Sequence, residues 1–326
     1  MGMQTFMADS FDKVQFVTIE EENHLQRIDN YLISKMKGVP KSKIYRILRK
    51  GEVRVNKKRA KPDYKLQTND YVRIPPVRVD EAKPSQINVS NLAYLQDAIL
   101  YEDDRLLIIN KPSGMAVHGG SGLSYGLIEA LRALRPGSQF LELVHRLDRD
   151  TSGCIVVAKK RSALRHLHEQ LRNKQMDKTY HALVNGHWPE KRTKVKAALQ
   201  KNQLQSGERM VFADEDGKPS ETRFRVISTF THASLIEAKP ITGRTHQIRV
   251  HCQFAGHCIA NDSKYGDEEF TKYIKNLGCK RLFLHANTIE FIHPHSEKLV
   301  RFEAPYDKHL TNILKALERA ENANSN

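Results

Sequence analysis

The stretch FLELVHRLDRDTSGCIVVAKK, Phe140–Lys160, decides how the larger part of the chain is read. Apolar runs at Phe140–Val144 and Cys154–Ala158 read as two buried strands. Between them His145, Arg146, Asp148, Arg149 and Asp150 put five ionisable groups into six residues, followed by Thr151 and Ser152. Pinned by core strands, such a patch is either a salted hairpin turn or a reactive carboxylate held by cations. A carboxylate that stays ionised and faces a carbon bearing a leaving group acts as a covalent nucleophile. A nearby cation keeps it ionised by lowering its pKa. A second cluster offers that cation. PITGRTHQIRVHCQFAGHCIANDSKYGD, Pro240–Asp267, sets Arg244 and Arg249 at the start of a helix behind a glycine turn, with Thr242 or Thr245 as its cap.

Around these two segments the pattern is rich in short β stretches: Leu106–Asn110, Tyr180–Gly186, Phe224–Phe230 and His232–Pro240, with Arg281–Pro294 reading as a strand pair. Three helices interrupt them. SALRHLHEQLRN puts Leu164, Leu167 and Leu171 on one face, with Ser162 as its cap. THQIRVHCQFAG groups Ile248, Cys252 and Ala255 and stops at Gly256, and DKHLTNILKALERA carries Leu310, Ile313, Leu314 and Leu317 in a stripe. Strands outnumber helices without a βαβ rhythm. The expected fold class is therefore α+β, a mixed, mostly antiparallel sheet with flanking helices over residues 95–320.

A smaller unit precedes it over residues 21–80. There Ile44, Ile47 and Leu48 share one helical face, Gly51 stops the helix, and EVRVN and YVRI alternate as strands. Residues 1–20 read as a flexible arm, 81–94 as a linker and 321–326 as a disordered tail. Between Lys41 and Lys61 stand ten Lys or Arg against one acid, Glu52. The whole chain carries +15 with a pI near 9.6. A surplus of that size attracts polyanions, nucleic acid first, and Lys43, Arg46, Arg49 and Lys50 are the candidate phosphate contacts. No apolar run reaches the ~18 residues of a spanning helix, so no membrane partner is expected. The start lacks an export pattern. The four cysteines show no C-x-x-C, so reduced thiols, a cytoplasmic location and no metal are expected.

Two resemblances sharpen this reading. RIDNYL, KSKIYRILRK, KGEVRVNKK and KPDYKLQTNDYVRI together resemble the S4 RNA-binding domain, a small α/β module that grips structured RNA. HRLDRDTSG (His145–Gly153), TGRTHQIRVH (Thr242–His251), GHCIANDSKYGD (Gly256–Asp267) and LFLHA (Leu282–Ala286) resemble, in order, the motifs of the RluA-type pseudouridine synthases. NKPSGMAVHGG (Asn110–Gly120) and TYHALVNG (Thr179–Gly186) match that family's opening strand and its tyrosine segment. The resemblance implies isomerisation of specific uridines to pseudouridine in 23S rRNA, by base flipping and without a cofactor. It implies Asp148 as nucleophile, Arg249 as its partner, Tyr180 stacking on the target base, Arg146 filling the vacated stack and Leu284 walling the uracil pocket. The partner would be large-subunit rRNA or its precursor particle, met by a monomer. Three departures stand out: Cys258 where Pro is usual, Asn261 where Gly is usual, and the extra acid Asp150, which reads as a turn residue pairing Arg146 or Arg149.

Overall fold

The structure, a computed structural model, describes residues 13–36, 39–77, 89–119, 125–138, 140–203 and 209–324. Most of the expected arm (1–12) and linker (81–88), and the last two tail residues, lie outside the described residues. Two compact units emerge, Met1–Gln86 and Ile87–Asn326.

The first unit runs β1 (Gln15–Thr18), α1 (Ile28–Lys35), α2 (Lys41–Lys50), β2 (Arg54–Val55), β3 (Lys58–Arg59) and β4 (Tyr71–Ile74). Its sheet is antiparallel in the order β1-β4-β2-β3. Helix α2 buries Ile44, Ile47 and Leu48, and Gly51 ends it at φ 72°, donating to the Ile47 and Leu48 carbonyls. The expected arm is corrected at Gln15–Thr18, which pairs with Tyr71–Ile74. Four residues are too few to show a period, and the pairing is made by main chain at long range. Asp70 knits the far end, accepting from Asn56 Nδ2 (2.7 Å), Tyr64 Oη (3.0 Å) and the Gln67 N–H (2.8 Å).

The second unit opens with α3 (Tyr94–Asp97), β5 (Ile99–Glu102), β6 (Leu106–Lys111), α4 (Leu127–Leu134), β7 (Glu142–Leu143), β8 (Ser152–Ala158), α5 (Arg161–Arg172) and β9 (Asp177–Asn185). It continues with β10 (Lys194–Lys196), β11 (Leu199–Gln203), β12 (Arg209–Ala213), β13 (Glu221–Phe230), β14 (Ala233–Pro240), α6 (Gln247–Phe254), α7 (Glu268–Asn276), β15 (Leu284–Ile292), β16 (Leu299–Glu303) and α8 (Lys308–Asn324). The main sheet is ordered β10-β13-β14-β9-β15-β8-β6-β5, with β16 beside β15 and β7 beside β8. Every pairing is antiparallel except β15 with β8.

Both faces of the centre are covered. Leu107, Ile109, Ile155 and Val157 pack with α4 on one side. Leu106, Ile108, Cys154, Val156 and Ala158 pack with α5 residues Ala163 and Leu167 on the other. That explains why β8 reads as an unbroken apolar run instead of an alternating one.

Several sequence expectations are corrected. Phe140–Val144 is not a buried strand: only Glu142–Leu143 is extended, and both are half-buried at the rim of β8. Arg281–Pro294 is not a strand pair but holds one nine-residue strand, whose hairpin partner is Leu299–Glu303. Burial on both faces of β15 hid its length. Helices α4 and α7 were not expected. Residues 321–324 extend α8, not a disordered tail, and Glu321 accepts hydrogen bonds from Thr231. The expected linker gives way at Leu92, which is buried in the core with Leu107 and Ile109. Ser162 lies inside α5, behind Lys160 at the N-cap. Neither Thr242 nor Thr245 caps α6, because His246 occupies that position and Thr242 instead donates to Gln247 Oε1 at 2.7 Å.

The parallel contact is narrow, Ser152 opposite His285 and Gly153 opposite Ala286. Gly153 adopts φ 112°, and a Cβ there would fall 2.2 Å from the Ala286 carbonyl oxygen. A side chain would meet both backbone strain and a clash with an unyielding strand. Gly153→Ala is expected to destabilise the fold by about 2–4 kcal/mol, read as a lowered urea midpoint.

Candidate active site

The loop before β8, His145–Thr151, carries Asp148, and its carbonyls show what holds it. The Asp148 carbonyl accepts from the Thr151 N–H at 3.2 Å, and the Arg149 carbonyl from the Gly114 N–H at 2.9 Å. Ser113 Oγ donates to the Asp150 carbonyl at 2.7 Å. Lys111, fully buried at the end of β6, donates to the carbonyls of Arg149 (3.0 Å), Met115 (2.8 Å) and Pro112 (2.9 Å). Burial pulls its ammonium down to about 7, against the charges of Asp150 and Asp148.

The other end of the loop is tied to β15. His285 Nε2 lies 2.9 Å from the Ala304 carbonyl, so that nitrogen carries the proton and Nδ1 accepts from Ser152 Oγ at 2.9 Å. Arg281 Nη1 donates to the same hydroxyl at 3.1 Å. Burial lowers His285 to about 4 and His145 to about 3, so both rings are neutral at pH 7. His145 Nε2 accepts the Val156 N–H at 3.2 Å, pinning the loop to β8.

Helix α6 approaches from the opposite side. Arg249 Nη1 stands 3.5 Å from Asp148 Oδ2. Its other edge is clamped: Nε and Nη2 donate to the two oxygens of Asp262 at 2.7 and 2.6 Å. Asp262 also accepts the N–H groups of Lys264 (2.9 Å) and Tyr265 (3.1 Å), and the Tyr265 ring lies 5.0 Å from the guanidinium. Burial pushes Asp262 up, but the hydrogen bonds and charge of Arg249 leave it below the usual carboxylate range.

His246 completes the ring around Asp148. Its Nε2 is 3.8 Å from Asp148 Oδ2. Tyr265 Oη accepts the Val211 N–H at 3.0 Å and lies 2.8 Å from His246 Nδ1; a carboxylate facing Nε2 favours the tautomer protonated there, for which Tyr265 donates to Nδ1. Burial holds His246 below its ordinary pKa against the pull of Asp148, so a neutral ring turns its Nε2–H toward the carboxylate. The residue pays for this with φ 53°, a left-handed backbone uncommon for a non-glycine.

Tyr180 lies on β9 between Ala238 of β14 and Ala286 of β15. Its hydroxyl is pushed up by burial and then by the charge of Asp148. A cavity of about 350 Å³ adjoins the site, lined by Asp150, Arg249, Asn261, Ser263, Arg281 and Leu282 among others. Asn261 sits there at φ 54°, a left-handed conformation that asparagine tolerates where glycine is usual.

The structure thus brings Asp148 and Arg249 together, with Tyr180 near enough to feel the Asp148 charge. Arg146 is exposed beside them. Asp150 pairs with Arg149 at 3.2 Å. Leu284 is buried in the core with Ile248 and Cys252, and of the two leucines in that cluster it is Leu282 that lines the cavity. On α2, Arg46, Arg49 and Lys50 are exposed and Lys43 is half-buried. Sequence reasoning assigned no role to Asp262, His246 or Lys111. Asp262 had one visible signal, an acid set in the small-residue run CIAND thirteen positions after Arg249.

Residues 105–254 match the RNA pseudouridylate synthase family, and residues 26–72 match the S4 domain. The chain is 59% identical over 313 residues to ribosomal large subunit pseudouridine synthase C of Pasteurella multocida (strain Pm70), covering 95% of this chain and 96% of the relative. It is 58% identical over 311 residues to the protein of the same name from Escherichia coli (strain K12), covering 94% and 98%. Among solved structures, human RNA pseudouridylate synthase domain containing 4 is similar, at 25% identity and a TM-score of 0.57, over 71% of this chain and 96% of that one.

Two stability experiments follow from this geometry. Asp262→Asn leaves the buried Arg249 without its counter-charge and is expected to cost about 3–5 kcal/mol in urea unfolding. Asp148→Asn, at a partly solvated carboxylate, should cost less than about 1 kcal/mol. Stability should also fall as pH drops from about 6.5 toward 4, because the unfolded chain protonates histidines that the fold keeps neutral. His285 alone contributes on the order of 3 kcal/mol across that window. An unfolding midpoint as high at pH 4.5 as at pH 7 would contradict the buried neutral ring.

Proposed function

This chain belongs to the RNA pseudouridine synthase family, and from that premise we propose that it isomerises uridines of large-subunit ribosomal RNA in the cytoplasm, with Asp148 as the nucleophile. The observation that carries the assignment is the placement of the Asp148 carboxylate. It is partly open to solvent, on a loop whose Asp148, Arg149 and Asp150 carbonyls are tied down, facing an arginine edge and a histidine N–H.

In the reaction the uracil N1–C1′ bond breaks, the ring turns, C5 bonds to C1′ and then gives up its proton, and N1 takes one up. Atoms are conserved, so the protein's task is to admit one nucleotide, hold it and stabilise charge. Flipping the uridine out of its stack costs a few kcal/mol. Tyr180 returns part of this by stacking on the base, roughly 1–3 kcal/mol. Arg146, exposed beside Asp148, fills the gap left in the RNA. Arg249, 3.5 Å away, counters charge as the carboxylate reacts. The clamp from Asp262 fixes its direction, the positional restraint on which such electrostatic assistance depends. Outside the site, Arg46, Arg49 and Lys50 on α2 meet RNA phosphates, as expected of an S4 domain, with Lys43 beside them.

The test uses wild-type protein and Asp148→Asn with unmodified large-subunit rRNA. The variant should bind with wild-type affinity and form no pseudouridine above background when the RNA is mapped for the modified base. Conversion at a normal rate by Asp148→Asn would sink the nucleophile assignment. Stoichiometric release of free uracil by the wild type would replace isomerisation with hydrolysis.

A further inference from the structure

The sheet of the first unit has a second exposed face, on the side away from its core. Strand registers set a row across it: Phe16 on β1 lies opposite Arg73 on β4, Arg73 opposite Arg54 on β2, and Arg54 opposite Arg59 on β3. Directly paired residues point to the same face, as do residues two apart on one strand. Tyr71 therefore joins this face, while Val17, Val55, Val72 and Ile74 turn to the core.

Two features of the row have no structural use within the unit. Phe16 and Tyr71 stack on one another, with ring centroids 5.3 Å apart and planes within 11°, yet they remain 55% and 47% exposed. Burying either ring in the core would stabilise the fold, so their placement outside needs another reason. The three arginines are anchored only by carbonyls: Arg73 Nη1 to Glu52 (2.7 Å), Arg54 Nη1 to Lys57 (3.2 Å) and Arg59 Nη2 to Lys50 (3.4 Å). None of them has a carboxylate within ion-pair distance among the described residues. Three guanidinium charges are thus oriented but not neutralised, next to a flat apolar surface.

We propose that this face is a second RNA-binding surface, and that it takes an unpaired segment. The bases extend the Phe16–Tyr71 stack while Arg54, Arg59 and Arg73 hold the backbone. The charge complementarity selects a polyanion, and the exposed rings select one whose bases are free to stack. A duplex offers phosphates but no open base faces. A stacking platform beside a cationic track is the arrangement by which single strands are held without base-specific hydrogen bonds. Arg59 reaches the Lys50 carbonyl at the end of α2, so the row adjoins the basic helix, the helix suited to a folded RNA and the sheet face to an unpaired flank. The inference rests on the reading that the chain acts on RNA, and it adds how the substrate is recognised.

The experiment compares full-length wild type, the double variant Phe16→Ala/Tyr71→Ala, and Arg54→Gln/Arg59→Gln. Two labelled probes are used, an unstructured oligouridylate and an RNA hairpin. The aromatic variant should lose roughly tenfold or more in affinity for the single strand. Its salt slope and its hairpin binding should be unchanged. The arginine variant should lower the single-strand salt slope by about 0.7 for each phosphate contact removed. As a check that needs no substitution, ultraviolet cross-linking of thiouridine-substituted oligouridylate to the wild-type protein should map to Phe16 or Tyr71. Wild-type single-strand affinity in the aromatic variant, or cross-links confined to other segments, would overturn the proposal. So would a concentration-dependent dimer, seen by light scattering in the wild type and absent in the aromatic variant, since it would show a second copy as the occupant. Failure of the RNA-modifying reading itself looks different: the wild type would bind neither probe and convert no uridine.

Discussion

The site depends on one buried ion pair. Arg249 carries its charge into the protein on helix α6, and Asp262 offsets that burial, because a buried guanidinium left without a close partner is strongly destabilising. Asp262 takes the Nε–Nη2 edge in a two-pronged contact and is itself fixed by two backbone N–H groups. That geometry leaves Nη1 as the free edge, and Nη1 is the atom 3.5 Å from Asp148. The longer contact follows from the shorter ones. Arg249 is committed to Asp262 and offers Asp148 a charge at a distance that still leaves room for the carboxylate to turn toward a substrate.

The clamp works only if Asp148 is held as firmly as Arg249. Two separate parts of the fold do this. The end of β6 supplies Lys111, Ser113 and Gly114 to the carbonyls of Arg149 and Asp150. The parallel contact with β15 supplies His285 to Ser152 and lets Gly153 close against Ala286. Lys111 places its hydrogen bonds on three carbonyls and none on a carboxylate, so it stiffens the loop without taking a contact on Asp148 from Arg249. The buried histidines are neutral for the same reason that they are useful. Neutral His285 accepts from Ser152 and donates to Ala304, joining strand to loop, where a charged ring would repel the nearby Arg281, and neutral His145 is free to accept the Val156 N–H.

How far this was legible in the sequence varied with the kind of interaction. Helix α2 was readable because Ile44, Ile47, Leu48 and Gly51 state its period and its end locally. Strand β8 was readable as a buried apolar run. Phe140–Val144 misled, because apolar composition alone does not reveal that a segment has only two residues to pair. Asp148 and Arg249 stood out by resemblance and by charge density. Asp262 did not, since its meaning lies in a contact across a helix and a turn. His246 could not be read at all: its role comes from a left-handed backbone and a hydrogen bond to Tyr265, neither of which leaves a trace in composition or spacing.

A carboxylate nucleophile for a polyanionic substrate faces a problem of sign. Asp148 and Asp262 together outweigh the single charge of Arg249, and His246 is neutral, so the innermost ring of groups carries net negative charge. Phosphates would be repelled if this were all they met. The compensation lies further out. Arg146 is exposed beside the nucleophile, Lys280 and Arg281 line the adjoining cavity, and the chain as a whole carries +15. At physiological salt a charge is felt over about 8 Å, so an approaching backbone meets the outer cations before the inner anions. Only the base and sugar of a flipped nucleotide, which carry no charge, need come within reach of Asp148. Separating the cations that draw the strand in from the anion that acts on it lets one site attract a polyanion and still present an ionised carboxylate.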